Sequence, residues 1–310
     1  MVKPASLSVH VISITPFDHH GEVDELGLRQ HLRRMAAAGI GVYLGGGGSG
    51  EGYVLEPHEV DRILEIGVEE LHGKVPVRSM GVEPRSAQEA VRLGRRAADI
   101  GVDAVQVYSL DMGHGRKPRP DEHRRYFSEV LSALSIPSYI ASHHYSGQLL
   151  DIELVDHLID EFPLLAGINC TTTDTRHLVE LASMVTGRIE LHVGGPEQAL
   201  NALALGGNGF LISEANLAPN VCRTVVERWG AGDLEGASRA YQLVLEMFVA
   251  FQQRGGISGT KSVMSALGLP SGQPRPPRLA VPDEWTQAML ATLRNLDLAR
   301  WEDWELADVL

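Results

Sequence analysis

A glycine-rich segment, GGGGSGEG at residues 45–52, is the first stretch whose composition suggests chemistry. Glycines let a backbone come close to a ligand, and successive N–H groups can hold a carboxylate or a phosphate. Ser49 adds a hydroxyl, so we expect Gly47, Gly48, Ser49 and Gly50 to bind an anionic group of a substrate. The alternative is a tight turn that needs glycine only for its backbone angles. No Gly-Lys-Ser/Thr follows the segment, which argues against a nucleotide P-loop.

A second segment, SHHY at residues 142–145, carries groups that move protons at neutral pH. Histidine titrates near neutrality, so His143 and His144 are candidate general bases or acids. Adjacent side chains of a strand point to opposite faces, so only one of the two can face a site while strand geometry holds. Tyr145, beside them, and Tyr108, farther back in the chain, add hydroxyl groups to the candidate set.

No metal and no cofactor are expected. The histidines have no HxH or HxxxH spacing that would favour a metal site. The net charge of −13 argues against nucleic acid as a partner, since phosphate binding needs a basic face. No apolar run approaches the ~18 residues of a membrane helix, and a secretory signal is not recognised, so a cytoplasmic location is expected.

These residues must be positioned by the elements around them, and the chain alternates regularly between strand-like and amphipathic helical runs. Strands are predicted at 7–17, 41–46, 75–82, 104–109, 138–142, 165–169, 189–194 and 209–213. Eight strand–helix units, spaced roughly 20–35 residues apart, predict a (β/α)8 TIM barrel. An open doubly wound sheet is the alternative, although such sheets normally stop at about five or six strands.

The C-terminal part has a different pattern. Helical runs are predicted at 233–253, 259–268 and 283–297, separated by the Pro-rich connector SGQPRPPRLAVP at 271–282. We therefore predict a barrel over residues 1–230 and a helical extension over residues 231–310 that packs on it.

Barrel active sites lie at the C-terminal ends of the strands. The candidate site therefore gains Gly194 after the seventh strand and Ser213 after the eighth, both as substrate-binding residues. The run TTTD at 171–174 follows the sixth strand, and we expect it only to cap the next helix.

Four motifs together resemble the dihydrodipicolinate synthase / N-acetylneuraminate lyase family over nearly the whole chain. They are ITPFDHHGEVD (14–24), GGGGSGEGYVLEPHEVDRIL (45–64), GNGFLISEANLAP (207–219) and GTKSVMSALGL (259–269). The resemblance implies a TIM barrel with a helical extension, usually in a tetramer. It also implies a Schiff base between a barrel lysine and a 2-oxo acid whose carboxylate lies on the glycine motif. Aldol cleavage, aldol condensation or dehydration is the implied chemistry.

The chain departs from the family at the lysine itself. The family's Gly-(Ile/Val)-Lys at the end of the sixth strand is matched by Gly167, Ile168 and Asn169. A carboxamide cannot form an imine because its nitrogen lone pair is delocalised, whereas a desolvated lysine amine can. The lysines of the chain are Lys3, Lys74, Lys117 and Lys261, and of these only Lys117 is expected in a loop at the active face.

We therefore expect a lyase that acts on a carbon–carbon or carbon–oxygen bond of a small 2-oxo-acid-like or carboxylate-bearing substrate without a Schiff base. Asn169 would bind the carbonyl or the developing oxyanion, and a histidine of SHHY would move the proton. Two alternatives stay open: a catalytically silent homologue that binds small anions or regulates, and a Schiff-base enzyme that uses Lys117. The expected partners are a small-molecule substrate and further copies of the chain in a dimer or tetramer, without membrane or nucleic acid.

Overall fold

The computed structural model describes residues 7–146 and 149–302. Eight parallel strands close into a barrel in chain order, and β1 pairs with β8, so the predicted TIM barrel is confirmed and the open sheet is excluded. The strands are β1 Ser8–Ile12, β2 Gly41–Leu44, β3 Val77–Ser79, β4 Ala104–Val107, β5 Ser138–His143, β6 Leu165–Thr171, β7 Glu190–Gly194 and β8 Gly209–Ile212.

A helix follows each strand, and further helices follow the barrel. The helices are α1 Glu25–Ala38, α2 Pro57–Leu71, α3 Ala87–Ile100, α4 Pro120–Ala133, α5 Ile152–Glu161, α6 Thr175–Val185, α7 Ala199–Ala204, α8 Pro219–Gly230, α9 Leu234–Gln252, α10 Ile257–Ala266 and α11 Asp283–Asn295. Local sequence explains many helix ends. Asp24 caps α1 by accepting from the Gly27 N–H, and Gly39 ends it in the left-handed conformation.

The fifth and sixth strands run further than their sequence indicates. β5 includes His143 and β6 continues to Thr171, because the two strands pair directly at these residues. A strand side chain faces the barrel interior at every second position. On β5, Ala141 and His143 accordingly face the same cavity, and on β6 Asn169 and Thr171 do.

The barrel interior beneath that cavity is polar rather than aliphatic. Arg78 on β3 donates to the Tyr43 hydroxyl at 2.9 Å, stacks on the Tyr139 ring at 3.9 Å and lies 3.4 Å from Glu190. Tyr139 in turn donates to Glu190 at 2.7 Å. A buried charge is costly unless it is paired and hydrogen-bonded, and these contacts supply the partners that Arg78 needs.

The C-terminal helices are anchored to the glycine-rich segment by a buried ion pair. Lys261 on α10 lies 2.5 Å from Glu51, and both side chains are fully buried. Lys261 also donates to the Thr15 carbonyl at 2.8 Å, and Glu51 accepts from the Arg275 backbone N–H at 3.0 Å. Breaking a buried pair typically costs about 3–5 kcal/mol. The extension is thereby attached to the face where the strands end, while a domain division at residue 230 stays a prediction.

None of the helices within 7–146 and 149–302 combines the length and the hydropathy of a membrane span. The connector at 271–282 forms neither helix nor strand of its own, as its prolines predict, and touches the barrel through an isolated bridge between Gly272 and Phe17. Cys170 and Cys222 are both buried free thiols.

Candidate active site

A cavity of about 770 Å³ opens at the C-terminal ends of the strands. Most of the sequence-derived candidates line it, and the structure brings together residues from six different strands or the loops that follow them. They are Gly47, Gly48, Ser49, Tyr108, His143, Tyr145, Asn169, Gly194 and Ser213. Gly50 and His144 do not line it.

Asn169 is the fifth residue of β6 and is only 4% exposed. Its Nδ2 lies 3.0 Å from the Tyr43 hydroxyl and contacts Gln106 Oε1, while its Oδ1 has no hydrogen-bond partner. Tyr43 belongs to β2, across the barrel from β6, and Gln106 belongs to β4, which pairs with β5. An unpartnered polar atom in a buried site is costly unless a ligand or water completes it.

The hydrogen-bond network favours one orientation of the Asn169 amide. The Tyr43 oxygen already accepts from Arg78, so its own proton needs an acceptor. A half-turn of the amides of Asn169 and Gln106 lets Tyr43 and Gln106 donate to Asn169 Oδ1. Gln106 can then accept from the Tyr108 hydroxyl, with which it interacts. In this arrangement the Asn169 NH₂ group has no protein partner and is a hydrogen-bond donor for a ligand.

His143 forms a pair with a carboxylate from the neighbouring part of the barrel. Its Nε2 lies 3.2 Å from Glu83 Oε1, and the hydrogen bond from His143 holds the pKa of Glu83 below its ordinary value. The Tyr108 ring meets the imidazole edge to face at 5.3 Å. His144 points away, with Nδ1 3.1 Å from the Thr171 carbonyl. The structure therefore places His143, and not His144, in the cavity.

The glycine-rich segment combines turn-forming glycines with one glycine that the turn does not require. Gly45 has a φ of 71°, and side chains at Gly46 or Gly50 would collide with Met80 or with the Gly46 backbone. At Gly48 an added Cβ would meet no atom within 4 Å. The N–H groups of Gly48 and Ser49 make no backbone hydrogen bond in the described chain, and both residues line the cavity.

Two residues of the expected anion site use a backbone group within the fold, and their role in binding stays a prediction. The Gly47 N–H donates to the Gly81 carbonyl at 3.0 Å, so it is already used by the fold. Gly50 lies behind the loop, and its carbonyl accepts from the Thr15 hydroxyl at 2.7 Å. The N–H groups of Gly48 and Ser49 and the Ser49 hydroxyl belong to residues that line the cavity, and these donors make no hydrogen bond within the described chain.

Glu214, which directly follows Ser213, is a further ionisable residue of the cavity that the sequence analysis missed. Ser213 donates to its Oε1 at 3.0 Å, while Oε2 is buried without a partner. Burial raises the pKa of Glu214 above its ordinary value, which favours the protonated acid. Its position in GNGFLISEANLAP, just after a barrel strand, was the available signal.

Other lining residues were also missed. Thr171 was expected only to help cap a helix, yet it lines the cavity because β6 continues through it; the cap of α6 is Asp174, as expected. Glu83, Gln106 and Arg278 were not singled out from the sequence, since each acquires its place through a neighbour on another element.

Asn216, in the motif GNGFLISEANLAP, has a structural role. Its Oδ1 accepts from the Ile14 N–H at 2.9 Å, and its Nδ2 donates to the carbonyls of Ile12 and Ser213 at 2.9 and 2.8 Å. This fully buried amide joins the ends of β1 and β8 where the barrel closes. Its role is to fix the position of Ser213 and Glu214.

No group of three or more histidine, cysteine or carboxylate side chains able to hold a metal ion is found among the described residues.

The fold and the cavity define a TIM-barrel protein with a polar ligand site at the end of the barrel where such proteins bind their ligands. Comparison with known proteins then gives the family. The model of the dihydrodipicolinate synthetase family matches residues 5–296. The chain therefore belongs to this family of lyases.

A curated relative and two solved structures are similar to the chain over most of its length. A 4-hydroxy-tetrahydrodipicolinate synthase of Methanopyrus kandleri is 28% identical over 287 residues, which cover 92% of this chain and 94% of the relative. The crystal structure of YagE, a prophage protein of the dihydrodipicolinic acid synthase family from E. coli K12, in complex with pyruvate, has a TM-score of 0.87 at 24% identity and covers 94% of this chain and 99% of its own. A monomeric dihydrodipicolinate synthase variant has a TM-score of 0.88 at 16% identity, covering 96% and 100%. At these identities the two structures show the shared fold.

Proposed function

We propose that this protein is a lyase that acts on a small 2-oxo-acid-like or carboxylate-bearing substrate without forming a lysine Schiff base. The observation that carries the proposal is the Asn169 amide, which lines the cavity on β6 with a polar group that has no protein partner. Among the residues within 7–146 and 149–302, no lysine lines the cavity. Lys261 is engaged by Glu51 and Thr15, and Lys117 is exposed outside the cavity.

The substrate carboxylate binds to the N–H groups of Gly48 and Ser49 and to the Ser49 hydroxyl. Backbone donors hold an anion without a positive side chain, which suits a cavity that contains two carboxyl groups. The 2-oxo group then lies against the Asn169 amide, which donates a hydrogen bond to the oxygen that gains negative charge. The YagE structure contains pyruvate, which makes pyruvate the first compound to test.

Aldol cleavage breaks the bond between the carbons that are α and β to the oxo group, and it runs through an enolate. His143 takes the proton of a β-hydroxyl, the carbon–carbon bond breaks, and its electron pair forms the enolate whose oxygen Asn169 binds. Glu83 orients the imidazole and stabilises the imidazolium, as a carboxylate does for a catalytic histidine. Glu214, whose protonated form is favoured by burial, gives its proton to the enolate carbon, and the proton that His143 took up returns to Glu214 directly or through solvent. Charge and protons balance over the cycle.

Turnover separates the alternatives. The panel of compounds contains 2-oxo acids, derivatives with a hydroxyl β to the oxo group, hydroxy acids and amides. One oxyanion donor is worth about 10²–10³ in kcat, so Asn169→Ala should lower kcat by that factor. His143→Asn should lower it comparably, while His144→Asn, the matched control outside the cavity, should not. Binding without turnover across the panel would instead indicate a silent, anion-binding homologue.

Self-association into a dimer or tetramer also belongs to the proposal. Exposed apolar side chains such as Leu26, Leu164 and Val179 are available for contacts between copies. Sedimentation velocity over a range of protein concentrations tests it. A single species at the mass of one chain, 33.7 kDa, would contradict it.

A further inference from the structure

The cavity has a second wall that the barrel does not provide. Phe248 and Phe251 of α9 and Ile257 of α10 line it opposite the strand ends. Its volume of about 770 Å³ lies in the range of pockets that hold an entire medium-sized ligand. A three-carbon acid bound at the glycine-rich segment and Asn169 would leave the space along this apolar wall unfilled.

Arg278, in the Pro-rich connector, stands at this second wall. It is the only lysine or arginine among the cavity-lining residues in the described part of the chain. Its guanidinium lies 5.3 Å from the centre of the Tyr53 ring and interacts with the Tyr53 hydroxyl. Within the described residues it makes no ion pair with a carboxylate. Most of its five N–H donors therefore remain for a ligand.

Arg275, three residues earlier in the same connector, uses its guanidinium donors within the protein. It donates to both Glu59 carboxylate oxygens at 2.7 Å and to the carbonyls of Gly21 and Val54. Its role is to hold the connector on the barrel. The two arginines differ in what they contact, so Arg275 is a matched control for any role assigned to Arg278.

The charges around the cavity indicate what Arg278 can bind. Glu83 and Glu214 both line the cavity, and the chain as a whole carries a net charge of −13. A second anionic group on a ligand would be repelled from most of this surface. A guanidinium presents a planar fork that matches a carboxylate, and the partly dehydrated wall strengthens the contact.

We infer that the cavity takes a 2-oxo acid with a second carboxylate at the other end of its carbon chain, and that Arg278 selects for that carboxylate. The inference rests on the proposed function in one respect: the oxo-acid end is placed at Asn169 and the glycine-rich segment. The carbon chain between the two ends then lies along Phe248 and Ile257.

Binding of matched ligand pairs tests this without any need for turnover. Isothermal titration calorimetry compares 2-oxoadipate with 2-oxohexanoate, and 2-oxoglutarate with 2-oxopentanoate, so that each pair differs only in the second carboxylate. The wild-type protein should bind at least one dicarboxylate about tenfold or more tightly than its partner, as a charged hydrogen bond requires. Arg278→Gln should abolish that preference by weakening only the dicarboxylate, and Arg278→Lys should restore part of it.

Arg275→Gln should lower the melting temperature, because Glu59 loses its partner, yet keep the preference in assays below that temperature. The inference is overturned if the wild-type protein shows no preference, if it binds none of the four compounds, or if Arg278→Gln keeps the preference. A preference that depends on Arg278, combined with no turnover of any compound, would overturn the proposed function and leave this inference standing.

Discussion

Asn169 Nδ2 and the Tyr43 hydroxyl oxygen lie 3.0 Å apart across the barrel, although 126 positions separate the two residues in the chain. The Tyr43 oxygen accepts from the buried Arg78, so the proton of its hydroxyl is available to the Asn169 amide oxygen. The hydroxyl thus couples the amide in the cavity to the charged cluster beneath it, and this fixes which amide group is left for a ligand.

Replacing Tyr43 with phenylalanine should therefore affect both stability and catalysis. Arg78 would lose a partner, which costs about 1–3 kcal/mol of unfolding free energy for an unsatisfied buried donor. The Asn169 amide would lose one of its two contacts, so kcat should fall about tenfold with little change in KM. Tyr139→Phe is the control, since it removes a hydroxyl that bonds Glu190 but does not touch Asn169. An equal loss of kcat in both variants would show that the effect is only structural.

The proposal that no imine forms can be tested directly. Incubation with pyruvate and borohydride should give no covalent adduct on the wild-type protein by intact mass. Asn169→Lys is the matched variant, because it places an amine on β6 inside the cavity, and it should give a trapped adduct if the rest of the site holds pyruvate. A stoichiometric adduct on the wild-type protein that maps to Lys117 would show that the amine had moved to another loop.

The glycine-rich segment can be tested at the position where the fold does not require glycine. Gly48→Val meets no protein atom near the new Cβ, so the melting temperature should stay unchanged. Affinity for a 2-oxo acid should still fall about tenfold or more, because the side chain keeps the ligand from the N–H groups. Gly52→Ala serves as contrast and should destabilise the protein, since its Cβ collides with the Gly45 backbone carbonyl. Unchanged affinity in Gly48→Val would mean that the segment is only a turn.

Ser49 and Asn169 should separate in steady-state kinetics. Ser49→Ala removes a hydroxyl from the carboxylate end of the substrate and should act mainly on KM. Asn169→Ala removes the donor to the oxygen that becomes charged and should act mainly on kcat. The reverse pattern would place the reacting carbonyl at the glycine-rich segment and would contradict the proposed mechanism.

Glu214 gives a pH-dependent prediction. Its pKa is raised above the ordinary value of 4.5, so the folded protein keeps a proton that the unfolded chain has released. Stability is therefore lost as pH rises from 4.5 through the raised pKa, by up to about 1.4 kcal/mol per pH unit. Glu214→Gln mimics the neutral acid and should stabilise the protein at pH 8 but not at pH 4. Glu180→Gln, which changes an exposed carboxylate that does not act on Glu214, should do neither, and identical pH profiles for all three proteins would contradict the assignment.

Much of the fold can be predicted from local pattern. The strand and helix periods, Gly39 as the end of α1 and Asp174 as the cap of α6 depend on neighbours a few residues away, and all are present in the structure. Strand ends were less predictable. β6 continues to Thr171 because β5 pairs with it there, and that pairing cannot be seen within a single strand.

The sequence by itself determined the barrel, the glycine-rich segment and the presence of an asparagine near the end of β6. These features follow from the types of the residues and from their spacing over short stretches of the chain. Only the tertiary structure decided that His143 meets Glu83, that the Gly47 N–H donates to the Gly81 carbonyl, and that Arg278 of the connector reaches the cavity. The physical reason is closure of the barrel: parallel strands bring their C-terminal ends to one face, so side chains far apart in the chain become hydrogen-bond partners, and packing decides which polar atoms stay free for a ligand.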